Sequence, residues 1–198
     1  MLGYRDRKKV NSRLLNRTLS ENPYGADVVK EVHDRLGPFK FTDLNDGVAV
    51  ESRGEATLPN GSTYVGEWAG ASRHGKGKIV FADGSLFEGH FTFGKANGYG
   101  RHIHTDGEYY IGEWKDDVAH GHGILMHVDG SSFEGMWEND KQHGAGKEIW
   151  PDGASFCGEF RDGLKNGKGT FLWADRSKYV GEFLNNDIHG EGTYTWKD

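Results

Sequence analysis

Six times along the chain an aromatic residue is followed by x-Gly-x-aromatic. The runs are Tyr64-Val-Gly66-Glu-Trp68, Phe87-Glu-Gly89-His-Phe91, Tyr110-Ile-Gly112-Glu-Trp114, Phe133-Glu-Gly135-Met-Trp137, Phe156-Cys-Gly158-Glu-Phe160 and Tyr179-Val-Gly181-Glu-Phe183. Their starts are 23 residues apart every time. In an extended chain successive side chains alternate between faces, so each pair of aromatics shares a face with the Gly between them. Each unit then carries His/Asn-Gly-x-Gly, from His74-Gly75-Lys-Gly77 to His189-Gly190-Glu-Gly192, and a second strand is predicted to follow it, as in Gly77-Lys-Ile-Val-Phe81. Asp-Gly closes four units, at Asp83-Gly84, Asp106-Gly107, Asp129-Gly130 and Asp152-Gly153.

Pro59-Asn60-Gly61 and Pro151-Asp152-Gly153 fit a three-residue hairpin loop, a type I turn followed by a left-handed Gly. That loop pairs Phe81 with Ser85 and puts Phe81, Trp150, Trp173 and Trp196 on the face of the aromatic columns. A two-residue loop would put them on the other. The pattern predicts an all-β fold: one elongated, twisted antiparallel sheet of tandem 23-residue β-hairpins, stabilised unit by unit. Thirteen strands at about 4.8 Å give an array roughly 60 Å long. The glycines leave slots across which neighbouring rings lie, replacing a second layer. The opposite face carries Glu67, Glu113, Glu159 and Glu182 beside an aliphatic column of Val80, Ile103, Met126, Ile149 and Leu172.

Upstream the pattern changes. Residues 41–63 read as a degenerate half-unit with Gly54 and Asn60-Gly61 in the matching places, ahead of six units over 64–198, the last incomplete. Residues 1–40 read as a basic arm plus a short amphipathic helix. Val28, Val29, Val32 and Leu36 fall at helical spacing within Ala26–Leu36, and Gly37-Pro38 stops the helix. This helix is expected to cap the first exposed strand edge, since sheet edges need cover.

Leu, Ile, Val and Phe make up only 40 of 198 residues, too few for a thick core, while aromatics at 13% argue against disorder. One cysteine excludes a disulfide framework and points to a reducing compartment. No apolar run is long enough to span a membrane, and none near Met1 reads as a secretory signal. Residues 1–40 carry net +4 and residues 41–198 net −10. The basicity concentrates in Arg5, Arg7, Lys8, Lys9, Arg13 and Arg17, which read as a tether to an acidic surface such as tubulin or anionic membrane, or as a solvated tail. A mitochondrial presequence is the lesser option, because Asp6 and the lack of an apolar face oppose it.

The unit of Tyr-x-Gly-x-Trp, a variable loop, His-Gly-x-Gly, a strand and an Asp-Gly turn resembles the MORN repeat (membrane occupation and recognition nexus) over about residues 54–196. The resemblance implies an extended β-hairpin array acting as scaffold or adaptor, as in ciliary, cytoskeletal and membrane-junction proteins. Arg176 departs from the pattern by replacing a turn glycine, which either strains that turn or changes its type. His104 and His127 replace an aromatic, and the loop at Thr92-Phe93-Gly94-Lys95-Ala96 is atypical; these departures bear on a local kink or binding spot and not on the fold.

Catalytic chemistry is not expected, nor a metal or cofactor. His74, His120, His143 and His189 share a column with Asn97 and Asn166, which suggests side chains hydrogen-bonding turn backbone. His102 and His104 face the same way but have no third ligand at metal-site spacing. Cys157 occupies an ordinary strand position, and Glu67, Glu113 and Glu159 recur as a solvated stripe. The Gly-x-Gly pairs lack the helix start a phosphate loop requires. The leading expectation is a scaffold in a ciliary, axonemal or cytoskeletal assembly. Its partner-binding and structural surface is the aromatic face: Tyr64, Trp68, Phe87, Phe91, Tyr110, Trp114, Phe133, Trp137, Phe156, Phe160, Tyr179 and Phe183, forming a groove for a partner helix or peptide. End strands allow homo-association. The alternatives are a peripheral membrane or phosphoinositide adaptor, against which the acidic array counts, and a regulatory module of a lipid kinase acting in trans. Nucleic acid is not expected as a partner.

Overall fold

The computed structural model describes residues 25–43 and 46–197. Among these residues one helix, α1 (Gly25–Leu36), precedes thirteen strands: β1 (Glu51–Thr57), β2 (Thr63–Ala69), β3 (Ser72–Val80), β4 (Leu86–Thr92), β5 (Lys95–Ile103), β6 (Tyr109–Lys115), β7 (Val118–Met126), β8 (Ser132–Glu138), β9 (Lys141–Ile149), β10 (Ser155–Arg161), β11 (Leu164–Leu172), β12 (Lys178–Leu184) and β13 (Asp187–Thr195). All thirteen form one antiparallel sheet in chain order. Every strand pairs with its sequence neighbours, so strand pairing is local and each unit rests on the next.

The three-residue loop between units forms as predicted. Phe81 donates its N–H to the Ser85 carbonyl (2.8 Å) and Gly84 to that of Phe81 (2.9 Å), and the turns at Leu58, His104, His127, Trp150 and Trp173 repeat both bonds. Trp150 is buried and Phe81 and Trp173 pack on the aromatic core, whereas Trp196 is 76% exposed. Arg176 keeps the glycine geometry at φ 73, so the turn type is unchanged and the backbone is strained. His104 and His127 also keep the hairpin.

The second strand of each unit starts earlier than the sequence suggested. The His/Asn-Gly-x-Gly stretch lies inside it, opposite a register shift such as that between Gly66 and Trp68. The connection within each unit shrinks to two residues, both left-handed at Asp116/Asp117, Asn139/Asp140 and Asn185/Asn186, as type I′ turns require. The Phe93-Gly94 loop has the same form. These turns also clamp adjacent units. Asp117 donates its N–H to the Ala96 carbonyl (3.0 Å), and its carboxylate accepts the Ala96 N–H (2.7 Å). Asp140 repeats this on Ala119 and Asn186 on Lys165.

Candidate functional site

The register aligns one unbroken row of glycines from Gly66 to Gly192, such as Gly66↔Gly77↔Gly89↔Gly100. The first aromatic of each unit lies flat on this row: a Cβ on Gly77 would meet the Tyr64 hydroxyl at 2.2 Å, and one on Gly123 would meet that of Tyr110 at 2.2 Å. The second aromatic stands against it. Tyr64–Trp68, Tyr64–Phe91, Phe87–Phe91, Phe87–Trp114 and onward to Tyr179–Phe183 form a zigzag of edge-to-face rings. Their centroids lie 4.9–5.4 Å apart, the geometry favoured by aromatic quadrupoles. Trp114 and Trp137 donate their indole N–H groups to the carbonyls of Gly100 and Gly123.

This arrangement corrects the groove expected on the aromatic face. None of the twelve rings, from Tyr64 to Phe183, exceeds 9% exposure. They are the interior of the array and leave no open slot along the columns. The glutamate stripe is solvated at Glu113 and Glu159, which are exposed, and two of its members also bond to backbone. Glu67 accepts the Lys76 N–H (2.6 Å) and Glu113 the His122 N–H (3.1 Å), each carboxylate occupying space that a Cβ on Gly75 or Gly121 would fill. The His/Asn column does reach turn backbone at two units: Phe93 donates its N–H to His74 Nδ1 (3.3 Å) and Asp116 to Asn97 Oδ1 (3.2 Å).

The second face carries the chemistry that sequence reading missed. Helix α1 forms as expected but does not cap an edge. It lies on this face, with Val29 and Val32 buried against Leu86 of β4 and Ile103 of β5, flanked by Leu36 and Tyr109. Covered on both sides, β4 is buried from Leu86 to Phe91, whereas the equivalent β8 alternates between buried and exposed. Beneath α1 sits a buried pair: Arg101 holds the Glu88 carboxylate through Nε (3.2 Å) and Nη2 (2.5 Å). The same guanidinium donates Nη1 to the Gly37 carbonyl at the helix end (3.0 Å), and His33 contacts Glu88 (3.2 Å).

Past Gly37 the chain continues along the face. Phe39 stacks on Tyr99 at 5.9 Å, and Phe41 meets His90 edge-on at 5.9 Å. His90 lies between two carbonyls, of Thr42 (2.8 Å) and Tyr99 (3.1 Å). Lys76 pairs with Asp43 (2.9 Å), and His74 with Asp46 (2.7 Å). The Val48 N–H and His74 together hold the Asp46 carboxyl below its ordinary range. Residues 25–43 and Asp46 are thus a strap bound to β3–β6 by apolar contact, hydrogen bonds and ion pairs.

On the aromatic side, His102 is 1% exposed, 4.2 Å from His104 between ring centroids, with no hydrogen-bond partner on its ring nitrogens. Burial drives its pKa well down. Among the described residues no group of three or more His, Cys, Asp or Glu is placed to hold a metal ion. His127 pairs with Glu108 (2.6 Å), which raises its pKa. Cys157 is an exposed strand residue of the second face, opposite Lys147 and Thr170. The six basic residues Arg5, Arg7, Lys8, Lys9, Arg13 and Arg17 lie outside the described residues. No helix among the described residues is long and apolar enough to cross a membrane.

Comparison with known proteins gives one strong match. The MORN repeat family profile matches residues 64–86, 87–109, 110–132, 133–155, 156–178 and 179–198. No curated protein matches. Among solved structures, the TCP10 domain of Danio rerio CPAP aligns with 14% identity and a TM-score of 0.40 over 65% of this chain. The alignment spans 60% of the Danio rerio domain. The Drosophila melanogaster SAS-4 (dCPAP) TCP domain, solved in complex with a proline-rich motif of Ana2, aligns with 13% identity and a TM-score of 0.39 over 82% of this chain and 99% of that one. The MORN repeat is a non-catalytic module, and arrays of it suggest a protein-binding or membrane-associated scaffold. With six consecutive matched units in the observed hairpin register, the chain belongs to the MORN-repeat family.

Proposed function

We propose that this chain is a non-catalytic scaffold of a cytoskeletal or ciliary (axonemal) assembly, holding partner proteins along its sheet. One observation carries the reading: the second face already binds polypeptide, taking residues 25–43 and Asp46 as a helix followed by an extended strap. A rigid aromatic ladder on the other face keeps that surface in register over many units. The outer strands supply a further mode. β1 and β13 are exposed along almost their whole length and present backbone groups for strand addition, including end-to-end pairing of copies. Localisation to the cytoskeleton or a cilium is part of the proposal.

The test is detergent extraction of ciliated cells expressing the tagged full chain, followed by fractionation and crosslinking. Retention with the insoluble axoneme or cytoskeleton, with a crosslinked neighbour, supports the scaffold. Release by detergent after pelleting with membranes overturns it in favour of a peripheral membrane adaptor. That second reading rests on the charge contrast of +4 in residues 1–40 against −10 in the remainder. Replacing Arg5, Arg7, Lys8, Lys9, Arg13 and Arg17 by Gln would then abolish pelleting with anionic vesicles.

A further inference from the structure

The seat beneath α1 recurs further along the sheet, where no described residue covers it. In β4–β5 the helix rests on Leu86 and Ile103, beside the facing acid–base couple Glu88↔Arg101. Two units on, the same register positions of β8–β9 bring Glu134 opposite Lys147 and Ser132 opposite Ile149. The intervening unit supplies an apolar floor instead of charges: Ile111 faces Ile124, and Met126 continues the row of Leu86, Ile103 and Ile149. Ile124 is 37% exposed and Ile149 40%, while Ile103, under α1, is 0%. Glu134 and Lys147 are exposed where Glu88 and Arg101 are buried.

Spacing allows a second helix. One unit is two strands, about 10 Å, which matches the diameter of a helix with its side chains. Continuity with the α1 interface, the apolar floor and the charge couple together specify the occupant. We propose that the second face over β6–β9 is a docking surface for an amphipathic helix of a partner protein. Its aliphatic stripe has the spacing of Val28, Val29, Val32 and Leu36 and rests on Ile111, Ile124, Met126 and Ile149. A histidine or basic side chain, placed as His33 is, meets Glu134, and the carbonyls at the helix C-terminus meet Lys147 as Gly37 meets Arg101. This assignment rests on the scaffold reading and names where, and by what chemistry, one partner is held.

The probe is a synthetic peptide of residues 25–43, locked as a helix by a lactam between Lys30 and Asp34, which already pair at 2.6 Å on its exposed side. It is titrated into the full chain carrying 13C-labelled Ile methyls, whose probes are Ile79, Ile103, Ile111, Ile124, Ile149 and Ile188. The expected result is saturable shifts at Ile111, Ile124 and Ile149, with Ile79, Ile103 and Ile188 unmoved. Glu134→Lys should weaken this binding about tenfold, a loss of one charged partner, and Ile124→Asp should abolish it. An unchanged Ile79 signal would show that both variants remain folded. No shift at about 1 mM peptide overturns the proposal. So do shifts confined to Ile103, which mean exchange with α1 in place, and peptide-independent shifts that grow with protein concentration, which mean a second copy covers the face. The scaffold reading fails separately: a chain that accepts the peptide yet is wholly released by detergent and crosslinks to no protein refutes the scaffold but not the seat.

Discussion

Gly123 lies beneath the Tyr110 ring, where a Cβ would fall 2.2 Å from the phenol oxygen and 2.4 Å from Cζ. Gly123→Ala is therefore expected to lower stability by about 1–3 kcal/mol through overpacking. Gly153, left-handed in a turn with nothing within 4 Å, should accept Asn with a change below about 0.5 kcal/mol. Urea denaturation of the two variants separates a glycine kept for a ring from one kept for a turn. At Arg176 the strain runs the other way. Arg176→Gly removes a side chain from φ 73 and should stabilise by about 0.5–1 kcal/mol, read as a raised urea midpoint. His102 supplies a pH signature. Its folded-state pKa is depressed by burial, so below about 6.5, the unperturbed value, the unfolded chain takes up a proton that the folded chain does not. Its contribution to stability thus falls as pH drops from about 6.5, and His102→Leu, matching Leu125 in the same row, should flatten that decline relative to the parent. His127 has the opposite sign: raised by Glu108, it favours the fold below about 6.5 and loses that contribution as pH rises through its folded value.

At the scale of elements, the hairpins and the strap have different origins. Each hairpin is specified by neighbouring residues: alternation sets the faces, and Asp-Gly or Asn-Gly sets the turn. Both were therefore legible, down to the burial of Trp150 beside Ala154. The unit-to-unit clamp was also written in the chain, as Asp117, Asp140 and Asn186 recurring in the variable loop, but its meaning depends on a strand 21 residues upstream. The strap is long-range. His33 reaches Glu88 across 55 positions and Arg101 reaches Gly37 across 64, and no periodicity marks either pair. Sequence offered one hint, the acid–base couple Glu88 and Arg101 in a unit whose loop departs from the pattern. Breaking that couple tests the element. Arg101→Met leaves a buried carboxylate with only His33 and, at 4.0 Å, Lys78 nearby. It should cost on the order of 3 kcal/mol and speed protease cleavage within residues 38–46.

For the whole molecule, stability should follow a chain of nearest-neighbour interfaces, since every strand pairs only with its sequence neighbours and the ring contacts reach no further than the next unit. Deleting residues 133–155 joins Ser132 to Phe156 at the register of the unit it removes, and should leave a folded eleven-strand sheet with a lower urea midpoint. Deleting 133–154 moves every later side chain to the opposite face and should abolish cooperative unfolding of the downstream hairpins. Circular dichroism and denaturation of both variants decide this.

The sequence by itself determined the 23-residue period, the two-stranded unit, the faces on which residues fall and the loop length that keeps Trp150 with the ring columns. These follow from alternation and turn chemistry, which act over a few residues. Tertiary structure alone decided that the rings laid across the glycine slots pack closely enough to become interior and close the groove, that Glu67 and Glu113 bond to backbone, and that α1 takes the second face instead of an edge. Each of these depends on which surfaces meet after the hairpins have formed. Burying Val29 and Val32 on Leu86 and Ile103 removes apolar area from water, a gain that depends on the matching of two distant surfaces and not on the local pattern of either.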